Sequence, residues 1–251
     1  MFEKKSDFTI LPITVLQDNI VWVWVHNCNA VVVDPSISSP VKEWLLNKKL
    51  SLTAILQTHH HEDHIGGTQE LIKRWPNAQV IASKKELKRI PFQTFSVNNN
   101  DIFNLLDSEV KVIEVHGHTN NHIAFYVSKE NTKYNILFPG DTLFGGGCGR
   151  LLEGTPSQMY KSLNKLNSLP GNTKIYSAHE YTESNLQWAI SLNPNDISIS
   201  ERLKLVQNKL QKGVPSLPST ISEERKTNLF LRAKNVEELT MLRRHKDNWP
   251  S

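Results

Sequence analysis

Two cysteines in 251 residues, Cys28 and Cys148, are too few for a disulfide framework, and each reads as an ordinary buried thiol. No apolar run approaches the ~18 residues that span a bilayer. The opening residues, M-F-E-K-K-S-D-F, lead into an alternating strand pattern and not into the apolar core of a signal peptide. These absences predict a cytoplasmic chain with no membrane partner. A strong charge of one sign is missing as well. The net charge is +4, with basic residues spread along the chain and only locally dense at Arg243, Arg244 and Lys246. A nucleic-acid binder would show a stronger basic stripe, so no nucleic-acid partner is expected. A small anionic substrate fits better, because a few cations at a cleft raise the local concentration of anions.

What is present is a strand-rich first part. Alternation predicts strands over 8–15, 20–25 and 30–33, the second with Trp22 and Trp24 on one face and Val21, Val23 and Val25 on the other. Asp18-Asn19 and Asn27-Cys28-Asn29 supply turn chemistry between them. A short helix is predicted over 40–48, with Pro40 in its first turn, where a missing N–H costs little. Further strands are expected over 52–56, 79–82, 110–115, 123–127, 134–138 and 173–177. A basic helical turn is expected at 84–89, loop with short strands over 91–109, and an amphipathic helix over 157–166. Beyond 179 helices alone are expected, over 185–192, 198–210, 222–232 and 236–244. Thr220 and Glu223 stand at capping-box spacing after a turn-rich 213–219. The predicted organisation is α+β, with mixed strands and helices over 1–179 and helices alone over 180–251.

Residues 58–67, T-H-H-H-E-D-H-I-G-G, concentrate four potential metal ligands, His59, His61, Asp63 and His64. They follow the apolar strand at 52–56 and precede a helical pattern at Ile65, Leu71, Ile72 and Trp75. In extended chain, side chains two apart share a side, so His59 and His61 can grip one ion. The chain then turns, and Asp63 and His64 point elsewhere, toward a second. Imidazole and carboxylate donors suit zinc, iron or manganese. For a lone histidine, a solvated loop with Asp63 as helix cap is the simpler account. Four donors beside an apolar strand make it the weaker one. His60 and Glu62 read as exposed or supporting residues. A strand ending in a ligand-type side chain recurs at Val115→His118, Phe138→Asp141 and Ile175→His179. In the glycine-rich loop 145–150, Cys148 reads as packing and not as nucleophile.

These segments resemble the metallo-β-lactamase fold, marked by T-H-x-H-x-D-H, and within it glyoxalase II, the hydroxyacylglutathione hydrolases. H-G-H-T-x-x-H, F-P-G-D-T-L-F, G-C-G-R-x-x-E-G-T, H-E-Y-T, P-S-T-I-x-x-E, N-x-F-L-R and R-R-x-K-D extend the resemblance over nearly the whole chain. It implies an αββα sandwich with a C-terminal all-helical domain. It implies two divalent ions, zinc first and iron or manganese as alternatives. His59, His61 and His118 would hold one, Asp63, His64 and His179 the other, with Asp141 between them. Arg150, Tyr181, Arg243 and Lys246 would hold glutathione, with Asn185 a weaker candidate. Arg and Lys recognise its carboxylates. The plainer account of Arg243 and Lys246 is a solvated helix end. His116 and His122 are left as supporting residues, and His26 and His245 carry no signal.

The implied chemistry rests on the ions, held by Asp63 and Asp141 as the catalytic carboxylates. Two ions ~3.5–4 Å apart lower the pKa of a shared water toward neutrality. The resulting hydroxide is expected to attack an S-(2-hydroxyacyl)glutathione such as S-D-lactoylglutathione. Glutathione and D-lactate would be released, as in the second step of methylglyoxal detoxification. A thiol of pKa ~8.5 departs with less help than an alkoxide. The expected partner is thus a small glutathione thioester, and the expected state a monomer. Two alternatives share the fold: a mono-iron enzyme like a persulfide dioxygenase, and a nucleic-acid-processing hydrolase. The full second donor set speaks against the first, and the modest charge against the other. Three residues depart from the family pattern. Leu152 stands where relatives often carry a tyrosine, which would remove a hydrogen bond to the tripeptide. Asn121 replaces the glycine of H-T-x-G-H, where Asn tolerates positive φ. Leu229 replaces the proline of N-P-F-L-R.

Overall fold

The structure, a computed structural model, describes residues 8–128 and 135–250. The opening residues 1–7 and residue 134 of the strand expected over 134–138 lie outside the described residues. The first of two six-stranded sheets takes its strands in chain order. They are β1 (Phe8–Val15), β2 (Asn19–His26), β3 (Asn29–Val33), β4 (Ser51–Leu56), β5 (Gln79–Ser83) and β6 (Phe95–Val97). β1 to β3 form an antiparallel meander, while β3 to β6 run parallel. Parallel neighbours need crossovers. Helix α1 (Ser38–Asn47) provides one, and α2 (Glu62–Ile65) with α3 (Thr68–Arg74) the next. The helical pattern read through Ile65 to Trp75 is therefore two helices, parted at Gly66-Gly67.

The second sheet begins with β7 (Ile102–Leu105), β8 (Ser108–Glu114), β9 (Ile123–Ser128) and β10 (Ile136–Phe138). A small hairpin, β11 (Leu143–Phe144) with β12 (Gly147–Cys148), stands apart from it. After α4 (Pro156–Asn167), β13 (Lys174–Ile175) pairs parallel with β10. The helices α5 (Thr182–Leu192), α6 (Ile197–Leu210), α7 (Ile221–Thr227), α8 (Leu229–Arg232) and α9 (Val236–Asp247) complete the chain.

Two expectations fail here. Helices do not fill the whole of 180–251, because β14 (Ser219–Thr220) pairs antiparallel with β13. A two-residue strand shows no periodicity to read, and it forms because β13 would otherwise leave its edge groups unpaired. The single helix expected over 222–232 breaks at Asn228. That residue is extended (φ −95°, ψ 109°), and its side chain accepts from the Phe230 N–H to start α8. Thr220 caps α7 as its spacing suggested, accepting from the Glu223 N–H at 3.2 Å.

The alternation read in β2 sets the layers. Trp22, Trp24, Val31 and Leu56 meet Val110, Val112, Phe125 and Phe138 between the sheets. Val21, Val23 and Ile55 face Val41, Leu45 and Leu71 of α1 and α3. On the far side, Ala124, Leu137 and Ile175 pack on Met159 and Leu163 of α4, and the same cluster runs on to Trp188, Phe230 and Leu239. The architecture is thus the αββα sandwich, with helices after 179 joined to its outer layer. The ends of the two sheets are pinned together. Ile20 N–H donates to Ala178 O at 2.7 Å, and Trp22 Nε1 donates to Ser177 O at 2.8 Å. Phe125, fully buried between the sheets, gives a direct check on this core. Phe125→Ala should cost about 3–5 kcal/mol in urea unfolding, and a cost near zero would show that the sheets do not pack through it.

Candidate metal centre

His59 and His61 leave β4 in extended chain, and both rings turn to one side. His59 Nε2 lies 3.0 Å from His61 Nδ1, and His118 Nε2, on the loop after β8, lies 3.1 Å from the same atom. A tetrahedral ion with nitrogens at about 2.0–2.1 Å sets them ~3.3 Å apart, so this triangle fits one. The turn into α2 sends Asp63 and His64 elsewhere, toward His179 after β13. His64 Nε2 and His179 Nε2 are 3.4 Å apart, and Asp63 Oδ2 is 3.6 and 3.5 Å from them. Asp63 accepts no bond as a helix cap; the N-cap of α2 is His61.

Asp141 lies between the two triads. Its Oδ1 is 3.4 Å from both His64 Nε2 and His179 Nε2, and its Oδ2 is 3.4 Å from His118 Nε2. Oδ1 is buried with no hydrogen-bond donor. Leaving a buried acceptor unsatisfied costs about 1–3 kcal/mol, and more for a charged one; a cation on that side removes the penalty. The approach to Asp141 depends on two glycines. Gly140 turns with φ +50°, and a Cβ on Gly149 would come within 2.0 Å of the Asp141 carbonyl oxygen.

A ring of hydrogen bonds aims the donors inward. His64 Nδ1 donates to Asp34 Oδ2 at 3.1 Å, and His179 Nδ1 donates to Asp18 Oδ1 at 2.7 Å. His118 Nδ1 donates to the Arg150 carbonyl at 2.9 Å. His59 Nδ1 lies 3.1 Å from Thr58 Oγ1, whose hydroxyl donates to Asp34 Oδ2 at 2.6 Å. Asn19 Nδ2 donates to Asp63 Oδ2 at 3.2 Å. Such partners fix the tautomer that leaves Nε2 unprotonated and facing the ion. In the sequence Asp18 and Asn19 read only as turn chemistry, and Asp34 only as the end of a strand. Asp34 ends β3 as the ligands end theirs, so the strand-end rule could have found it. His122 is supporting: it stacks on His59 at 4.6 Å and accepts from the Asp141 N–H at 3.1 Å. His116 turns away, to the Asn120 carbonyl and to Glu114. Glu62 is exposed.

Electrostatics sort the histidines. Burial, with neighbouring imidazoles adding to it, pushes His59 well below the ordinary range and His61 down to about 4. Both rings are neutral at pH 7 and free to donate a lone pair. Burial opposes charge on His64 and His179 too, but the carboxylates around them outweigh it and raise both, Asp141 with Asp34 for His64 and Asp141 with Asp18 for His179. Asp141, in turn, is pulled well below its usual value against its burial by those two rings.

A cavity of about 390 Å³ opens on His118 and Asp141. Arg150, Tyr181, Asn185, Arg243 and Lys246 all line it, together with Leu152, Ser184 and Trp249. No motif had pointed to Ser184 or Trp249. Tyr181 stacks flat on His179, with ring centres 4.9 Å apart. Lys246 Nζ donates to Ser184 O at 3.2 Å, over the Trp188 ring. Desolvation, then Arg243 and Arg150, bring its pKa down to about 8. Arg243 is buried, donating to Cys148 O at 2.9 Å and to Asp247 Oδ1. The account of Arg243 and Lys246 as a solvated helix end is therefore wrong. Asn185 donates to Gly145 O at 3.0 Å and so braces the glycine loop. Cys148 is buried, with its thiol pushed up to about 11 by burial, as suits packing. Cys28, expected to be buried, is exposed, because the β2–β3 turn carries it out to solvent. Asn121 holds its turn without a positive φ.

Fold and donor set define the class, the metallo-β-lactamase superfamily, whose family model matches residues 13–179. A second model, described as the hydroxyacylglutathione hydrolase C-terminus, matches residues 180–249. The hydroxyacylglutathione hydrolase of Prochlorococcus marinus (strain NATL2A) is 79% identical over 249 residues, covering 99% of each chain. That of Prochlorococcus marinus (strain MIT 9211) is 57% identical over 253 residues and the full length of both. Among solved structures, ETHE1 from Myxococcus xanthus shares the fold, with a TM-score of 0.71 at 23% identity, covering 97% of this chain and 92% of that one. The chain belongs to the hydroxyacylglutathione hydrolase family. Its donor clusters support a dinuclear metal site.

The hydrogen bonds around the donors predict two metal phenotypes. Asp34→Ala frees the ring of His64 and should weaken metal binding about 10–100-fold in chelator competition; unchanged affinity would count against its orienting role. Asp141→Asn should weaken both ions, and a variant that keeps two ions and normal turnover would remove Asp141 from between them.

Proposed function

We propose that the chain hydrolyses S-(2-hydroxyacyl)glutathione, such as S-D-lactoylglutathione, to glutathione and a 2-hydroxy acid. The observation that carries this is Asp141, one oxygen 3.4 Å from each triad, at the inner end of a cation-lined cleft. The names of relatives matched over their full length point to the same substrate. His59, His61 and His118 would hold the first ion, Asp63, His64 and His179 the second, and Asp141 both. Zinc is the first choice for these donors, with iron or manganese as alternatives. Bound there, the ions would supply an acidified water and polarise the thioester carbonyl.

The chain's residues bind and orient. Arg150 and Lys246 offer charged donors to the carboxylates of the tripeptide. Arg243 keeps a supporting part, since its guanidinium already holds the Cys148 carbonyl and Asp247. Tyr181, stacked on His179, lines the same cleft. Leu152 is largely exposed at the rim, so the cleft relies on these others for polar contact there. A mono-iron reading would leave Asp63, His64 and His179 assembled to no purpose. The same proposal assigns metal binding to 1–179 and the wall of the cleft to 180–251, in a cytoplasmic monomer.

Purified protein should release glutathione from S-D-lactoylglutathione and carry two metal ions in the same sample. Two bound ions without hydrolysis would overturn the substrate, and a single iron with oxygen consumption would overturn the reaction. Lys246→Ala should raise KM about 10–100-fold, the worth of one charge-assisted hydrogen bond, and lower kcat less. An unchanged KM would return Lys246 to a structural role. Lysine is charged below its pKa and loses its charge as pH rises through about 8. KM should therefore climb from pH 7 to 9, and Lys246→Arg should flatten the climb, since arginine stays charged.

A further inference from the structure

Outside both triads, Arg89 joins three segments that surround the first. Glu86, buried on the turn after β5, accepts from Arg89 Nε and Nη2 at 2.6 Å each. Arg89 Nη1 donates to Glu153 Oε1 at 2.6 Å and approaches His60 Nε2 at 3.1 Å. Glu153 Oε2 accepts from the Asn120 N–H at 2.8 Å. Asn120 lies two residues from His118. Backbone bonds seal the same seam: Leu152 N–H and Glu153 N–H both donate to His118 O, at 3.3 and 3.2 Å. The 150–154 segment thus carries the carbonyl that fixes His118 Nδ1, the Arg150 side chain in the cleft, and the carboxylate clamped by Arg89.

We propose that the Arg89–Glu153 ion pair is a positioning device for the first triad, holding the 116–121 and 150–154 loops in register so that His118 faces His59 and His61. Rigid backing follows from Glu86: a buried carboxylate keeps its bidentate partner in place, because an unpaired buried charge is strongly unfavourable. Among the described residues, no member of the second triad bonds to this network. Its rings are oriented by Asp34 and Asp18, which lie on other loops. Metal affinity should therefore respond to Glu153 at one triad only.

This inference rests on the dinuclear reading, and the test separates the two. Zinc alone is titrated against a competing chelator in two backgrounds. His179→Ala keeps the first triad whole, and His118→Ala keeps the second. Glu153→Ala leaves the buried Glu86–Arg89 pair intact. It should weaken zinc about 10–100-fold in the first background and less than about twofold in the other. Glu153→Gln keeps an acceptor for the Asn120 N–H but not the charge, so it should give a smaller loss with the same asymmetry. It decides the question should the alanine variant fail to fold. Equal losses in both backgrounds, or none in either, would overturn the proposal. A parent protein that binds fewer than two zinc ions would instead overturn the dinuclear reading.

Discussion

Ring nitrogens of His59, His61 and His118 face one another across 3.0 and 3.1 Å, with lone pairs converging. Neutral imidazoles left to themselves would turn apart. His59 and His118 are held by groups behind them, and so are the donors of the second triad. The Arg150 carbonyl, Thr58, Asp34, Asp18 and Asn19 each spend a hydrogen bond on a donor residue. The sandwich makes this possible. Its sheets end at one edge, so loops from β3, β4, β8, β10 and β13 meet there, backed by cores on both faces of each sheet. What the fold keeps fixed is a repulsive arrangement of donors that a cation relieves.

Much of this was legible in the chain. The alternation of Trp22 and Trp24 with Val21 and Val23 assigned both faces of β2 correctly. The structure brings together all seven donor residues picked out by their strand-end positions, because short-range spacing and strand direction decide where those side chains go. What escaped the reading depends on contacts far apart in sequence. Asp18 meets His179 across 161 positions, and no local pattern announces that. Arg243 looked like a surface cation until α9 packed it against the Cys148 carbonyl, 95 positions away. Asn228 and β14 escaped for another reason. One residue can stop a helix and two can make a strand, and neither leaves a period to detect.

The cleft joins two kinds of chemistry. On its inner side stand His118 and Asp141, sheet-end residues fixed by the sandwich. On its outer side stand Lys246, Ser184 and Trp249, carried by α5 and α9 or next to them. Tyr181 belongs to both, with its ring on His179 and its backbone at the start of α5. The donor cluster and the helical wall of the cleft are therefore coupled by direct packing. Helices that read as a separate segment share one hydrophobic cluster with the second sheet.

The pairing of Ser219–Thr220 with β13 bears on how the chain is born. During synthesis every donor residue has left the ribosome once His179 has emerged. The sheet beneath His179 still lacks its outermost strand until residue 220 follows. For some forty residues of elongation, β13 presents an open edge, the kind of surface that recruits unwanted strands. His179 also pairs with Asp18 and Asn19 from the start of the chain. Closing this centre therefore takes long loop closures, Asp18 to His179 above all, beyond the compact T-H-H-H-E-D-H segment where the metal site begins.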